Sequence, residues 1–338
     1  MLFFIILMLV AMTNPVFAQS SDSSLKSRAI AIPDGEGGIG FDDLVFSPEI
    51  HKVLVPAGHT GKLYLFGPAS DGFTIDSIGG FSSSAELPKG HDIGISSADE
   101  GEGFIFVADH GRHEIDVVNF KSGIVVDNTD LAGDPDYVRY VGVNHEVWVT
   151  EPHNKQIEVF KFSGGEHPML KAMMLIPVPN GPESLVIDHL LGRAYTNLGH
   201  QAAAIDLESH IIVSTWPNEC EKSRGDALDE QKGFLFVSCS EGKAEVFDLN
   251  QDNKEISNLA TDPGPDVISY NAKLAHLYFT SSKNATLSVL GVSPQGQLSL
   301  LGKSEASMKS HCVVSDDQNN IWVCDPYHGK LLFYKDTL

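Results

Sequence analysis

The sequence predicts an all-β chain: a seven-bladed β-propeller of four-stranded antiparallel blades, closed into a ring by a strand from its own N-terminus. Three observations predict it. Short apolar, β-branched strands recur along the chain with turn residues between them and no amphipathic helix interrupts them. They group in fours at a period of roughly 40–50 residues, the spacing of propeller blades. The last group lacks a strand that a segment near the N-terminus can supply.

One unit runs His91 to Ser96, Phe104 to Asp109, His113 to Val118, then Ile124 to Val126. The same order follows from Asp136, with Val147 to Glu151, Gln156 to Phe160 and Ala172 to Ile176. Further units start at Glu183, Asp226, Asp266 and His311, and an earlier one at Asp42. The unit from His311 offers only Cys312–Ser315, Ile321–Cys324 and Leu331–Tyr334. The alternating segment Arg28-Ala-Ile-Ala-Ile-Pro33 is expected to pair with Leu331–Tyr334, so that no sheet edge is left open.

The organisation expected is a signal peptide over 1–18, a polar mobile tail over 19–27 and one propeller domain over 28–338. Leu2 to Val10 is an uncharged apolar run, too short for an ordinary membrane span, and Val16-Phe17-Ala18 precedes Gln19 as a small-residue cleavage pattern. No Lys or Arg precedes the run, which departs from the usual signal and leaves an uncleaved anchor as the alternative. The chain is therefore expected to be exported, periplasmic or secreted, a monomer, and free of the membrane once the signal is cleaved.

A net charge of −22 repels phosphate backbones and anionic lipid heads, so nucleic acid is not an expected partner. Cations and basic surfaces are natural partners, and solubility alone is an equally good reason for the charge. Cys220, Cys239, Cys312 and Cys324 form no CxxC or zinc-knuckle spacing, and an even number in an exported chain favours disulfides. Cys312 and Cys324 lie symmetrically about Gln318 in the Asp317–Asn320 turn, and Cys220 precedes the first strand of the fifth unit while Cys239 ends its second. Cys312–Cys324 and Cys220–Cys239 are thus the expected pairs, with Cys312 as a metal ligand beside His311 as the alternative.

The pattern of a first strand, a turn and then I/V-W/Y-V-x-[DN] occurs at Val147-Trp148-Val149-Thr150, Ile321-Trp322-Val323-Cys324-Asp325, Ala194-Tyr195-Thr196-Asn197 and Phe104-Ile105-Phe106-Val107-Ala108-Asp109. Pro135-Asp136, Pro182-Glu183 and Pro265-Asp266 mark first-strand entries. In these features the chain resembles the YVTN and NHL repeat propellers, which include lactonase-like enzymes, the streptogramin lyase type and many binders without catalysis. The resemblance implies the scaffold, and the scaffold does not choose among those activities.

In such a ring the first strand of each blade starts at one face, and the loop between second and third strands returns to it. The first-strand entries are Asp42, His91, Asp136, Glu183, Asp226, Asp266 and His311, every one acidic or histidine. The Asp residues at Pro-Asp entries are read mainly as turn caps. His91, Glu183 and His311 are the candidate ligands for a divalent ion (zinc, manganese or calcium), with Asp226 as fourth ligand or catalytic base and His110 as a second candidate base. A second ring comes from the return loops: His59, Asp109, His110, Glu151, His153, Asn197, His200, Asp325 and His328. No GxSxG, HExxH or P-loop is present, and Gly-rich Asp34–Gly40 has no helix pattern after it, so it reads as a linker. Asn284-Ala-Thr286 is a glycosylation sequon in a eukaryotic source. Two functions follow as expectations. One is a metal-assisted hydrolase or lyase of a lactone- or ester-like molecule. The other is a non-catalytic propeller that binds a protein or ligand through its acidic, His-rich face.

Overall fold

A computed structural model of the chain describes residues 24–69, 72–85 and 93–338. The expected signal peptide, residues 19–23 of the tail and His91 lie outside the described residues. Seven antiparallel sheets of four strands follow one another around a ring. Six are contiguous in sequence, from Val45–Gly79 (blade 1) through Ile95–Asp130, Val138–Pro177, Glu183–Pro217 and Ser223–Ala260 to Ser269–Glu305 (blade 6). Blade 7 combines Val313–Ser315, Asn320–Asp325 and Lys330–Lys335 with Arg28–Ala31 as its outermost strand.

The closure is in the expected register, with Arg28 opposite Phe333, Ala29 opposite Leu332, Ile30 opposite Leu331 and Ala31 opposite Lys330. Ile32 N–H extends it by donating to the Gly329 carbonyl at 3.0 Å. Gly329 has φ 58°, and a Cβ there would stand 1.9 Å from the Gly35 oxygen, so this crossing requires glycine. Leu25, assigned to the polar tail, is 8% exposed and packs with Tyr278, Val289 and Tyr334 between blades 6 and 7.

The burial pattern explains the sequence pattern. Second strands such as Phe104–Asp109, Phe234–Cys239 and His276–Ser281 are buried at every residue, because each blade is covered on both faces by its neighbours. They read as nearly continuous apolar runs for that reason. Outer strands such as Ile124–Asp130 face solvent and alternate. Both disulfides form as expected, with Cα–Cα distances of 5.0 Å for Cys220–Cys239 and 5.7 Å for Cys312–Cys324. The Cys312 thiol is therefore not available as a metal ligand. No helix among the described residues is long and apolar enough to cross a membrane.

Candidate functional site

The strand register fixes which residues share a level around the axis. The residue of each first strand opposite the middle of the second is Val45, Asp99, Arg139, Val186, Ala227, Ser269 and Val314. Three residues before these stand Asp42, Ser96, Asp136, Glu183, Arg224, Asp266 and His311. Five of the expected entry residues are on this level. In blade 5 the residue on this level is Arg224 and not Asp226; in blade 2 it is Ser96, and His91 lies outside the described residues.

The substitution of Arg224 for Asp226 changes the electrostatics. Asp42, Asp136, Glu183, Arg224 and Asp266 line one cavity of about 220 Å³, with His110, His153 and Lys222 at its rim. Arg224 Nη1 lies 3.1 Å from Glu183 Oε2 and 3.9 Å from Asp266 Oδ1, and Lys222 Nζ lies 3.6 Å from Glu183 Oε1. The cation that the acids call for is thus built into the chain. Burial, then the neighbouring Asp42 carboxylate, holds Asp136 well above the usual carboxylate range. Burial also raises Asp266, against the pull of Arg224 and His311. The first strands of blades 5 and 6 meet closely here. Gly225 N–H donates to Asp266 O at 2.8 Å, and a Cβ on Gly225 would stand 2.1 Å from that oxygen.

Asp226 points elsewhere. It is 6% exposed, accepts from Asn197 Nδ2 at 2.6 Å, and burial holds its carboxyl well above the usual range. It lines a separate axial cavity with Arg139, Asp43, Ser184 and Ser315. His311 is on the ring, with Nδ1 2.7 Å from Lys309 O and Nε2 2.9 Å from Phe41 O. Both ring nitrogens face main-chain oxygens, and Glu183 is turned to Arg224 and Lys222. Among the described residues, no group of side chains with ligand atoms close enough to share an ion contains Glu183.

A larger cavity of about 580 Å³ opens beside the first and shares Arg224 and Asp266 with it. Lys283, Lys309, His311 and Tyr327 line it together with Gly37, Gly38 and Gly40. The Gly-rich segment is therefore a wall of this cavity. Ile39 N–H donates to Pro326 O at 2.9 Å, and a Cβ on Gly38 (φ 111°) would stand 2.7 Å from the same oxygen. No ion pair joins Lys283 or Lys309 to a carboxylate among the described residues. These lysines carry no sequence motif, and only the fold brings them beside Arg224.

Much of the second ring is structural. Residues ending the second strands tie down the loop that enters their own blade. Asp109 accepts from Ser82 N–H at 2.7 Å, Glu151 from Gly133 N–H at 3.0 Å, and Asp325 from Ser307 Oγ at 2.8 Å. Ser281 Oγ donates to Pro263 O at 2.6 Å, and in blade 5 the same tie is the Cys220–Cys239 disulfide. Asn197 reaches the next blade instead, donating to Arg224 O at 2.6 Å. Of the histidines, His59 is buried, its ring held below its ordinary pKa by burial, and His328 is bonded to Asp325 at 2.8 Å. His200 bonds Cys220 O at 2.8 Å, so only His110 and His153 face the axial cavity.

No protein-family model matches the chain, and no curated protein sequence matches it. Solved structures do. The chain is similar to one from a crystal structure of the mitotic checkpoint complex, with a TM-score of 0.73, 11% identity, and 99% of this chain and 98% of that chain covered. It is similar to the β-propeller domain of Cps50 (Swd1) from Myceliophteria thermophila, with a TM-score of 0.72, 10% identity, and 92% and 100% covered. At such identities the likeness establishes the seven-bladed β-propeller fold alone.

Proposed function

We propose that this protein is an exported, non-catalytic propeller that binds a small molecule carrying a carboxylate or phosphate in the cleft on its axial face. The observation that carries the reading is the convergence of Arg224, Lys283 and Lys309 on a cavity of about 580 Å³ in a chain of net charge −22. Lysines are the scarcer charge here, and the two that line the cavity are without acidic partners among the described residues. That volume is in the ordinary range for a small-molecule site, roughly 300–1,000 Å³. The glycine wall lets a ligand approach the main chain, and the neighbouring acids suit hydroxyl or amine groups on the rest of the ligand.

The geometry favours this reading over a metal-assisted hydrolase. Glu183 is engaged by two cations, the ring nitrogens of His311 face carbonyl oxygens, and Asp226 opens into a different cavity. Export rests on the apolar run Leu2–Val10 and the Val16-Phe17-Ala18 pattern, with the two disulfides in keeping. N-terminal sequencing of the mature protein is expected to start at Gln19. Binding is tested by calorimetry with a panel of carboxylic acids and sugar phosphates, each beside its neutral amide or alcohol. Lys283→Met with Lys309→Met is expected to weaken an anionic ligand at least tenfold, since a hydrogen bond to a charged group is worth about 1.5–3 kcal/mol. Neutral analogues that bind as tightly as the anions, or a double variant with unchanged affinity, would overturn the reading.

A further inference from the structure

A second cluster lies away from this cleft, on the side of blade 2 that faces blade 1. Asp109, Glu114 and Asp116 bring carboxylate oxygens within 4.8 Å of one another. Asp109 and Glu114 are opposite each other in the register, and Asp116 follows on the same face of its strand as Glu114. Asp109 is 0% exposed and Asp116 1% exposed.

Blades 3 and 5 show what the position of Asp116 ordinarily does. Its counterparts there are Glu158 and Glu245, each two residues into the third strand. Glu158 accepts from Ala132 N–H at 2.8 Å, and Glu245 from Glu219 N–H at 3.0 Å. Each buried acid thus clasps the loop entering its blade. In blade 2, Asp109 holds Ser82 as Glu151 holds Gly133. The residue beside it is an aspartate, one methylene shorter, and it reaches no amide. Both oxygens of Asp116 are buried without a hydrogen-bond partner.

A buried carboxylate with neither oxygen bonded, beside two further carboxylates, is costly to leave uncompensated. Arg112 does not remove the cost. It lies 3.3 Å from Glu114 and 3.8 Å from Asp109, on the outer edge of the cluster. Three carboxylates and one guanidinium leave two negative charges, the complement of a divalent ion. All the donors are oxygens, which suits a hard cation, and the flexible geometry of calcium suits a site that also draws on water at its open edge. Asn128 and Asp130, opposite Asp116 and Glu114 on the outer strand, add two oxygen-bearing residues at that edge.

We propose that Asp109, Glu114 and Asp116 form a calcium site between blades 1 and 2 that clamps the loop entering blade 2, in place of the glutamate-to-amide clasp of blades 3 and 5. The test uses the intact mature protein, stripped with chelator and titrated with calcium or magnesium chloride while the melting temperature and heat of binding are followed. One calcium per chain is expected, with a rise in melting temperature that magnesium reproduces poorly. Asp116→Asn and, at the edge of the site, Glu114→Gln are each expected to weaken calcium at least tenfold. Asp116→Glu is expected to reach the loop amide, raising the melting temperature of the stripped protein and removing the response to calcium. A stripped protein indifferent to calcium would mean that Asp116 is only protonated, and would overturn the proposal. So would a calcium response that survives both Asp116→Asn and Glu114→Gln.

Discussion

The closing strand is the place where a small change should cost most, because the ring depends on it and two of its side chains carry it. Ile30 is 8% exposed and Ile32 3%, and both belong to the core cluster that includes Trp322, Val314 and Leu331. Cutting a buried isoleucine to alanine costs about 2–5 kcal/mol, the transfer term plus the cavity left behind. The double variant Ile30→Ala with Ile32→Ala should therefore lose about 4–10 kcal/mol, comparable with the whole stability of a domain at about 5–15 kcal/mol. Ala29 is an exposed neighbour on the same strand, and Ala29→Ser should stay within about 0.5 kcal/mol. Arg28 lies over Phe73 at 4.8 Å and Phe333 at 5.3 Å, so Arg28→Ala should cost about 0.5–1 kcal/mol. Urea unfolding followed by tryptophan fluorescence reads all three variants, since Trp322 packs directly against Phe333. Deleting 28–33 should go further and leave the edge of Lys330–Lys335 open to association. Isoleucine variants within 0.5 kcal/mol of the parent, or a deletion that stays monomeric with an unchanged melting temperature, would refute the closure argument.

Other consequences are checked in the same material. Replacing Cys312 and Cys324 together by Ser should cost about 3 kcal/mol by the loop-closure estimate, read as a shift in urea midpoint. Arg224→Met should destabilise the fold by about 2 kcal/mol, because Glu183 and Asp266 lose their shared cation; Arg224→Lys should restore part of it, and equal stability of all three forms would count against the charge argument. Glu151 is pushed up from 4.5 to about 7, by burial first and then by Glu158. Between those two values the folded state binds more protons than the unfolded one, so stability should fall as pH rises through that window. Glu151→Gln should flatten that part of the melting-temperature profile, and an unchanged slope would show that the raised acid lies elsewhere.

The blades were legible because a four-stranded sheet packed on both faces writes a distinctive pattern. Fully buried second strands such as Phe104–Asp109 sit beside alternating outer strands such as Ile124–Asp130. The closure and both disulfides were legible because each follows from counting strands. The axial ring was legible only in part. The first strands of blades 4 and 5 carry register shifts, between Glu183 and Val186 and between Ser223 and Asp226, and no residue type marks them. Choosing the acidic or histidine residue near each entry also selected against the answer in blade 5. It picked Asp226 and passed over Arg224, the group that makes the other acids tolerable. Lys283 and Lys309 were invisible for a different reason, since they come from loops of blade 6 and its exit and meet Arg224 only in the folded ring.

Two cavities along the axis hold different sets of charges, which separates residues that the sequence placed together. Tyr137 is 5% exposed and borders both the upper acid-lined cavity and the lower cavity that holds Asp226. Leu44, Val267 and Val314 line the lower cavity with it. Tyr137 is thus a wall shared by the two cavities. Above it, Arg224 balances Glu183 and Asp266; below it, Arg139 Nη1 pairs with Asp43 at 2.7 Å. Each compartment has its own cation, so neither needs charge from the other. A ligand bound in the proposed cleft would therefore meet Arg224, Lys283 and Lys309, whereas Asp226 lines the other cavity.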